Sequence, residues 1–104
     1  MSRGPDAATL LERALIRAAA CSDLALTVEA TDWTRWASAT FTGARHDLVV
    51  SAPSSAATSA WLDRLGEHEF RLPGHLVAEL AIVRSHRADD RTTATIEVLT
   101  VESR

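Results

Sequence analysis

Apolar and polar residues alternate over the last third of the chain, and this pattern predicts one long β-hairpin. Its strands are expected at Leu76 to His86 and at Thr92 to Val101, with the turn in residues 87–91, where aspartates favour a turn by bonding their own backbone. Successive side chains point to opposite faces of a strand, so the register follows from matching the apolar sets. A turn of odd length is predicted, because it brings Ile82 opposite Ile96.

This register divides the hairpin into two apolar faces. One of them is expected to cover the protein's own core, because it carries large aliphatic side chains on both strands and a sheet normally packs one such face against its helices. The residues predicted for this core face are Leu76, Ala78, Leu80, Ile82, Ile96 and Val98.

The second face of the hairpin has no internal partner in this interpretation. A contiguous apolar patch is rarely left exposed on a soluble monomer, so the face predicts an interface. Trp36, which is expected to point outward from an earlier strand, is a candidate anchor of the same interface. The favoured hypothesis is a non-enzymatic interaction domain that forms a homodimer through this surface. The predicted interface residues are Trp36, Val77, Ala81, Val83, Leu99 and Val101.

Periodicity in the first two thirds of the chain predicts two helices and three more strands. Apolar residues at helical spacing indicate a helix from about Asp6 to Ala20, and Pro53 with the serines after it introduces a second helix. Alternation predicts a strand from Asp23 to Thr31, followed by a hairpin that turns at Gly43. The predicted fold class is α+β, a single domain over residues 1–104 in the order α-β-β-β-α-β-β, with a five-stranded, largely antiparallel sheet and both helices on one face.

This order of elements resembles that of the type III secretion chaperones without their final helix. The resemblance lies in topology and in no shared sequence motif. It implies a further hypothesis, in which the protein is an adaptor or chaperone that binds another polypeptide through the same outer surface.

Two carboxylates, Glu79 and Glu97, lie on the predicted outer face. Glu79 is expected opposite Leu99 and Glu97 opposite Ala81, which makes the acids diagonal neighbours with Cα atoms roughly 7–8 Å apart. In a partly dry setting two such acids raise each other's pKa and can act as a general acid or base. The alternative hypothesis is a small enzyme with a pocket on this face or at the dimer seam, using Glu79 or Glu97 as acid or base with His75 or Arg84 nearby. The simpler interpretation is that both carboxylates point into water or pair with arginine.

Histidine and arginine residues offer two other kinds of candidate site. No pair of the four histidines has metal-ligand spacing, and the single cysteine, Cys21, forms neither a disulfide nor a thiolate site, so no metal is predicted. Arg45 and His46 follow the predicted Gly43 turn and could hold an anion with help from backbone N–H groups. The competing interpretation places Arg45 in solvent and His46 at the edge of the core. No phosphate loop or serine-nucleophile motif is present, and no cofactor is predicted.

Composition narrows the functional classes further. The 104-residue chain has a net charge of −3 and no basic stripe, so no nucleic-acid partner is predicted. No apolar run approaches the ~20 residues that span a bilayer, and the first residues lack an apolar signal core, so no membrane partner and a cytoplasmic location are expected. All 11 basic residues are arginine, which excludes lysine chemistry such as Schiff-base formation. The arginine and alanine bias is typical of a GC-rich bacterial genome.

Overall fold

Two helices and a five-stranded antiparallel sheet make up the fold, as the alternation and periodicity predict. The computed structural model describes residues 6–103. Its helices are α1 (Ala7–Ala20) and α2 (Ala56–Arg64), and a short 3-10 helix, Leu65–Glu67, follows α2. The sheet curls into a half-barrel with the helices on one side. The strands are β1 (Thr27–Ala37), β2 (Thr42–Pro53), β3 (Arg71–Leu72), β4 (His75–Arg87) and β5 (Arg91–Glu102).

The order of elements is α-β-β-α-β-β-β, which departs from the predicted order by one strand. The two strands predicted before the Gly43 turn are one continuous strand, β1, and the chain forms the short β3 after α2 instead. The strands are arranged in the sheet as β1-β2-β5-β4-β3. The resemblance to the type III secretion chaperones was based on the predicted order of elements. Because the observed order differs by one strand, the elements do not correspond one to one.

The first hairpin turns in residues 38–41 rather than at Gly43. The Ser38 amide donates to the Phe41 carbonyl at 2.7 Å, and the Ser38 hydroxyl oxygen accepts from the Phe41 amide at 3.1 Å. Gly43 lies inside β2, where a Cβ would collide with the carbonyl oxygen of Thr100. Glycine is therefore needed here for the close approach of two strands and not for a turn, which is why the prediction was wrong.

Both helices begin at a side-chain cap and pack on the sheet through one face. The Asp6 carboxylate accepts from the Thr9 amide at 2.9 Å, and the Ser55 hydroxyl oxygen accepts from the Thr58 amide at 3.0 Å. No helix in residues 6–103 is long and apolar enough to cross a membrane. The prediction of a missing signal core rests in part on residues 1–5, which lie outside the described part of the chain.

The core lies between the helices and the face of the sheet that they cover, called here the helix face. Leu48 of β2 and Ile96 of β5 are fully buried and lie directly opposite each other. Burying an aliphatic side chain of this size stabilises the fold by about 1.5–3 kcal/mol, so this central pair is a major contribution. The other large buried core residues include Leu11, Leu15, Val50, Trp61, Leu65 and Val98.

A β-bulge at Val83 preserves the predicted register of the second hairpin. The turn has two residues, 89 and 90, and not the odd number that was predicted. A two-residue turn by itself would place Ile82 opposite a residue of the other face. Because the bulge adds one residue to β4, Ile82 nevertheless pairs with Ile96, as predicted.

A second bulge, at Ala78, reverses which side chains at the start of β4 point toward the core and which point outward. Val77 pairs with Thr100 and packs against the core, whereas Leu76 pairs with Val101 and is 59% exposed. The predicted core positions of Leu76 and Ala78 and the predicted outer position of Val77 are therefore wrong. One inserted residue reverses the side-chain alternation from that point on, and the apolar pattern contains no trace of it.

Candidate interaction surface

The outer face of the sheet lies opposite the helices, and no helix in residues 6–103 covers it. Directly paired residues of antiparallel strands share a face, so the register arranges the outer side chains in rows across β1, β2, β5 and β4. One row is apolar, a second is acidic, and a third between them is mixed. From the first hairpin turn inward, the outer face therefore presents an apolar, a mixed and an acidic row in that order.

The apolar row crosses the sheet next to the first hairpin turn. It runs from Trp36 over Gly43 and Val101 to Leu76. Trp36 is half-buried because its indole lies against the bare Gly43 backbone, and it faces outward as predicted. Phe41, in the turn, is 56% exposed and shares a cleft of about 410 Å³ with Leu76 and Val101. Four apolar side chains thus lie at one end of the outer face, and three of them share one cleft.

The mixed row contains Leu99, which lies between Arg45 of β2 and Glu79 of β4. Leu99 is only partly buried on the outer face. Ala81 is exposed in the following row, and the bulge residue Val83 is 52% exposed. Of the six residues predicted to form the interface, five are therefore placed on or beside the outer face, and Val77 is the exception.

The acidic row brings three carboxylates side by side on neighbouring strands. Asp32 of β1 lies directly opposite Asp47 of β2, which in turn lies directly opposite Glu97 of β5. Like charges in such pairs destabilise a sheet. Within residues 6–103 the sole ion pair joins Arg35 and Glu102 at 4.0 Å, so no arginine forms an ion pair with a carboxylate of this row. The outer face therefore carries uncompensated negative charge across its middle.

The register places Glu79 and Glu97 as predicted, with Glu79 opposite Leu99 and Glu97 opposite Ala81. Both carboxylates are exposed, so they lack the dry setting that acid–base catalysis by such a pair requires. His75 and Glu79 line a broad cleft of about 730 Å³ along β4, but Glu97 does not contribute to it. Glu79 and Glu97 share a second, open cleft with Arg45, but His75 does not contribute to that one, so neither cleft holds all three candidate catalytic residues.

Arg45 and His46 point to opposite faces of β2, because successive residues of a strand diverge. Arg45 is exposed on the outer face, whereas His46 is 1% exposed on the helix face, with Nε2 2.9 Å from the Thr100 hydroxyl oxygen. The predicted anion site would need both side chains on one side, and the structure does not bring them together. Burial, followed by the nearby charge of His75, lowers the pKa of His46 below its ordinary value.

The structure adds residues to the surface that the sequence did not indicate. Leu76 reaches the outer face only through the bulge at Ala78, for which we find no signal in the sequence. The pairing of Asp32 with Asp47 follows from the correct position of the first turn. Ser38, a residue type that closes turns with its own side chain, was the available signal for that position.

Residues 6–103 contain no group of three or more histidine, cysteine, aspartate or glutamate side chains arranged to hold a metal ion.

A known protein resembles this chain in fold, and the resemblance establishes no activity. No family model and no curated protein matches the chain. A chain in the solved structure of the virion of a native gene transfer agent particle is similar, with a TM-score of 0.56 and 22% identity. The similarity covers 77% of this chain and 69% of that one. A likeness at this level of identity establishes the fold alone.

Proposed function

We propose that this protein is a non-enzymatic interaction subunit that associates with a second copy of itself through the outer face of its sheet. The observation that carries this proposal is the apolar row beside the first turn, where Leu76 and the adjoining Phe41 are more than half exposed. Trp36 lies at the other end of the same row, on β1. Aromatic and aliphatic side chains clustered in this way are typical of the energetic centre of a protein interface.

The charges of the outer face allow it to be complementary to itself. The acidic row is flanked by Arg45 in the row on one side and by Arg84, opposite Thr95, in the row on the other. In a two-fold dimer offset by one row, the arginines of each copy can face the acids of the other. Such pairing would neutralise carboxylates that form no ion pair within residues 6–103 and would fix the register of the two copies.

The structural similarity is consistent with a role in protein assembly. The similar chain is part of a virion particle, and the likeness covers about three quarters of the present chain. The alternative enzymatic role has less support, because the exposed Glu79 and Glu97 have no enclosed pocket. Association with a different polypeptide, as in an adaptor, would use the same surface, and a cytoplasmic location stays a prediction.

The test is a measurement of oligomeric state over a range of protein concentrations, by sedimentation or by light scattering after gel filtration. We expect the wild-type protein to form a dimer and Leu76→Glu to raise its dissociation constant at least about tenfold, because a charge would be buried at the apolar row. Ile16→Glu is the matched control, since Ile16 is 38% exposed on α1, away from the outer face.

Three results bear on this proposal. Weakened association in Leu76→Glu together with unchanged association in Ile16→Glu supports it, provided that both variants unfold at the wild-type temperature. A wild-type protein that stays monomeric at high concentration overturns self-association and leaves the outer face to another polypeptide. Equal weakening by the two substitutions places the contact elsewhere.

A further inference from the structure

A small cavity lies where the first turn of α1 meets the helix face of the sheet, on the side of the molecule away from the proposed interface. Its volume is about 150 Å³. Its floor is formed by His46 and Thr100, which are 1% and 0% exposed, together with Ala44 and the partly buried His75. At about 30 Å³ per water, the space corresponds to roughly five waters, which suits a small ligand or a single side chain.

We infer the position of the proton on the His46 ring from the two contacts of the Thr100 hydroxyl. Both contacts can be hydrogen bonds at once only if the hydroxyl donates to the Ala44 carbonyl at 3.3 Å and its oxygen accepts from Nε2–H of His46 at 2.9 Å. Nδ1 of His46 is then a bare acceptor. It is buried and has no hydrogen-bond partner in residues 6–103, and Nδ1 of His75 is in the same condition.

Burial keeps His46 neutral, which fixes what Nδ1 can bind. Removal from water is the main cause that lowers the pKa of His46, and the charge of His75 acts in the same direction. Asp6 and Asp47 act in the opposite direction with smaller effect. A neutral imidazole with Nε2 protonated offers a lone pair at Nδ1, so a suitable ligand must bring a hydrogen-bond donor.

The charged side chains at the rim of the cavity favour a ligand whose hydrogen-bond donor is positively charged. Asp6 and Glu102 contribute two carboxylates and Arg35 one guanidinium. Because Arg35 pairs with Glu102 at 4.0 Å, the one net negative charge of the rim comes from Asp6. Trp33, 49% exposed, adds an aromatic surface beside them. Carboxylates and an indole face both attract a compact cation.

We propose that this cavity binds a primary ammonium group, which donates to Nδ1 of His46 and is neutralised by Asp6, with Glu102 shared between the ligand and Arg35. The chain contains no lysine, so no side chain of its own can supply the ammonium group. We consider two outside sources, a free alkylamine and a lysine of another protein. The side chains that hold the ammonium group, His46, Asp6 and Glu102, do not belong to the apolar row, so this proposal does not depend on the proposed self-association.

The experiment titrates the full-length protein with n-butylammonium chloride at pH 7.5, at constant ionic strength. Imidazole resonances of His46 and indole resonances of Trp33 are followed by NMR. We expect saturable shifts of both, and affinity about tenfold lower in His46→Phe, which keeps an aromatic ring but removes the acceptor. Glu102→Gln, a substitution at a half-exposed side chain that spares the core, is expected to lower affinity about threefold.

Sodium butyrate is the matched control, because it has the same alkyl length and the opposite charge. Binding of butyrate as tight as that of butylammonium, or no saturable shift with either ion, overturns the proposal. Unchanged affinity in both variants overturns it as well. If butylammonium binds, a short lysine peptide and its norleucine analogue distinguish the two sources, since a protein lysine must reach the cavity from a peptide backbone.

Discussion

The two faces of β5 give one strand two different environments. Its even-numbered residues from Thr92 to Thr100 are buried against the helices, and the polar Thr100 among them is satisfied by His46. Its odd-numbered residues are partly or fully exposed, and they include both Leu99 and Glu97. The helix face is closed by the chain itself, whereas the outer face mixes apolar and charged rows. Alternation along a strand thus identifies two surfaces, but the fold buries only one of them in its own core.

Truncating one side chain on each face is expected to produce the largest contrast. Ile96→Ala should lower the free energy of unfolding by about 2–5 kcal/mol, because it opens a cavity in a fully buried site. Leu99→Ala should cost about 1 kcal/mol or less, because Leu99 keeps part of its surface in water within one copy. Urea unfolding at low protein concentration measures both. Equal losses would mean that the two faces are not energetically distinct.

Acidification tests the helix face through His46. The unfolded chain takes up a proton near 6.5, the ordinary pKa of histidine, whereas burial lowers the pKa of folded His46. The unfolded state therefore binds more protons, so stability should be full above about pH 7.5 and fall as the pH drops through 6.5. It should level off below the lowered pKa of the folded state.

Thermal unfolding between pH 8 and pH 5 measures this dependence. His46→Gln should flatten the profile, whereas His86→Gln, at an exposed position, should leave it unchanged. A wild-type profile that stays flat through pH 6.5 would show that folded His46 titrates like a solvated histidine.

The smallest expected effect concerns the acidic row of the outer face. Asp47→Thr removes the carboxylate that lies between Asp32 and Glu97, and it should raise the free energy of unfolding by about 0.5 kcal/mol at low salt. Added salt screens the same repulsion, so the gain should shrink at high ionic strength. Glu79→Thr is the control, because Glu79 faces Leu99 rather than another acid. An identical gain from both substitutions would mean that net charge, and not the row, is responsible.

The two hairpins show how far a sequence can determine a sheet. In the second hairpin the apolar sets of β4 and β5 match in one way only, so the pairing of Ile82 with Ile96 was predictable although the turn length was not. In the first hairpin Gly43 indicated a turn that does not exist. A glycine that permits a close strand approach and a glycine that permits a turn look alike in sequence, and the tertiary contact with Thr100 decides between them.

The candidate sites were predictable to a smaller extent. Strand alternation correctly placed Trp36, Ala81 and Leu99 on the outer face, because that periodicity is local. The acidic row and the cavity at His46 depend on which strands are neighbours in the sheet, and strand order is not encoded in the alternation of any single strand.

The bulges of β4 also affect how this sheet can meet other sheets. Because β3 pairs only with residues 75 and 76, most of β4 forms an edge of the sheet. A long, regular edge is a template on which foreign strands add and aggregates grow. The extra residues at Ala78 and Val83 interrupt the regular spacing of backbone donors and acceptors on β4, and Glu79 and Arg84 add charge beside them. The bulges that made part of the predicted face assignment wrong thus also discourage uncontrolled addition of foreign strands along β4.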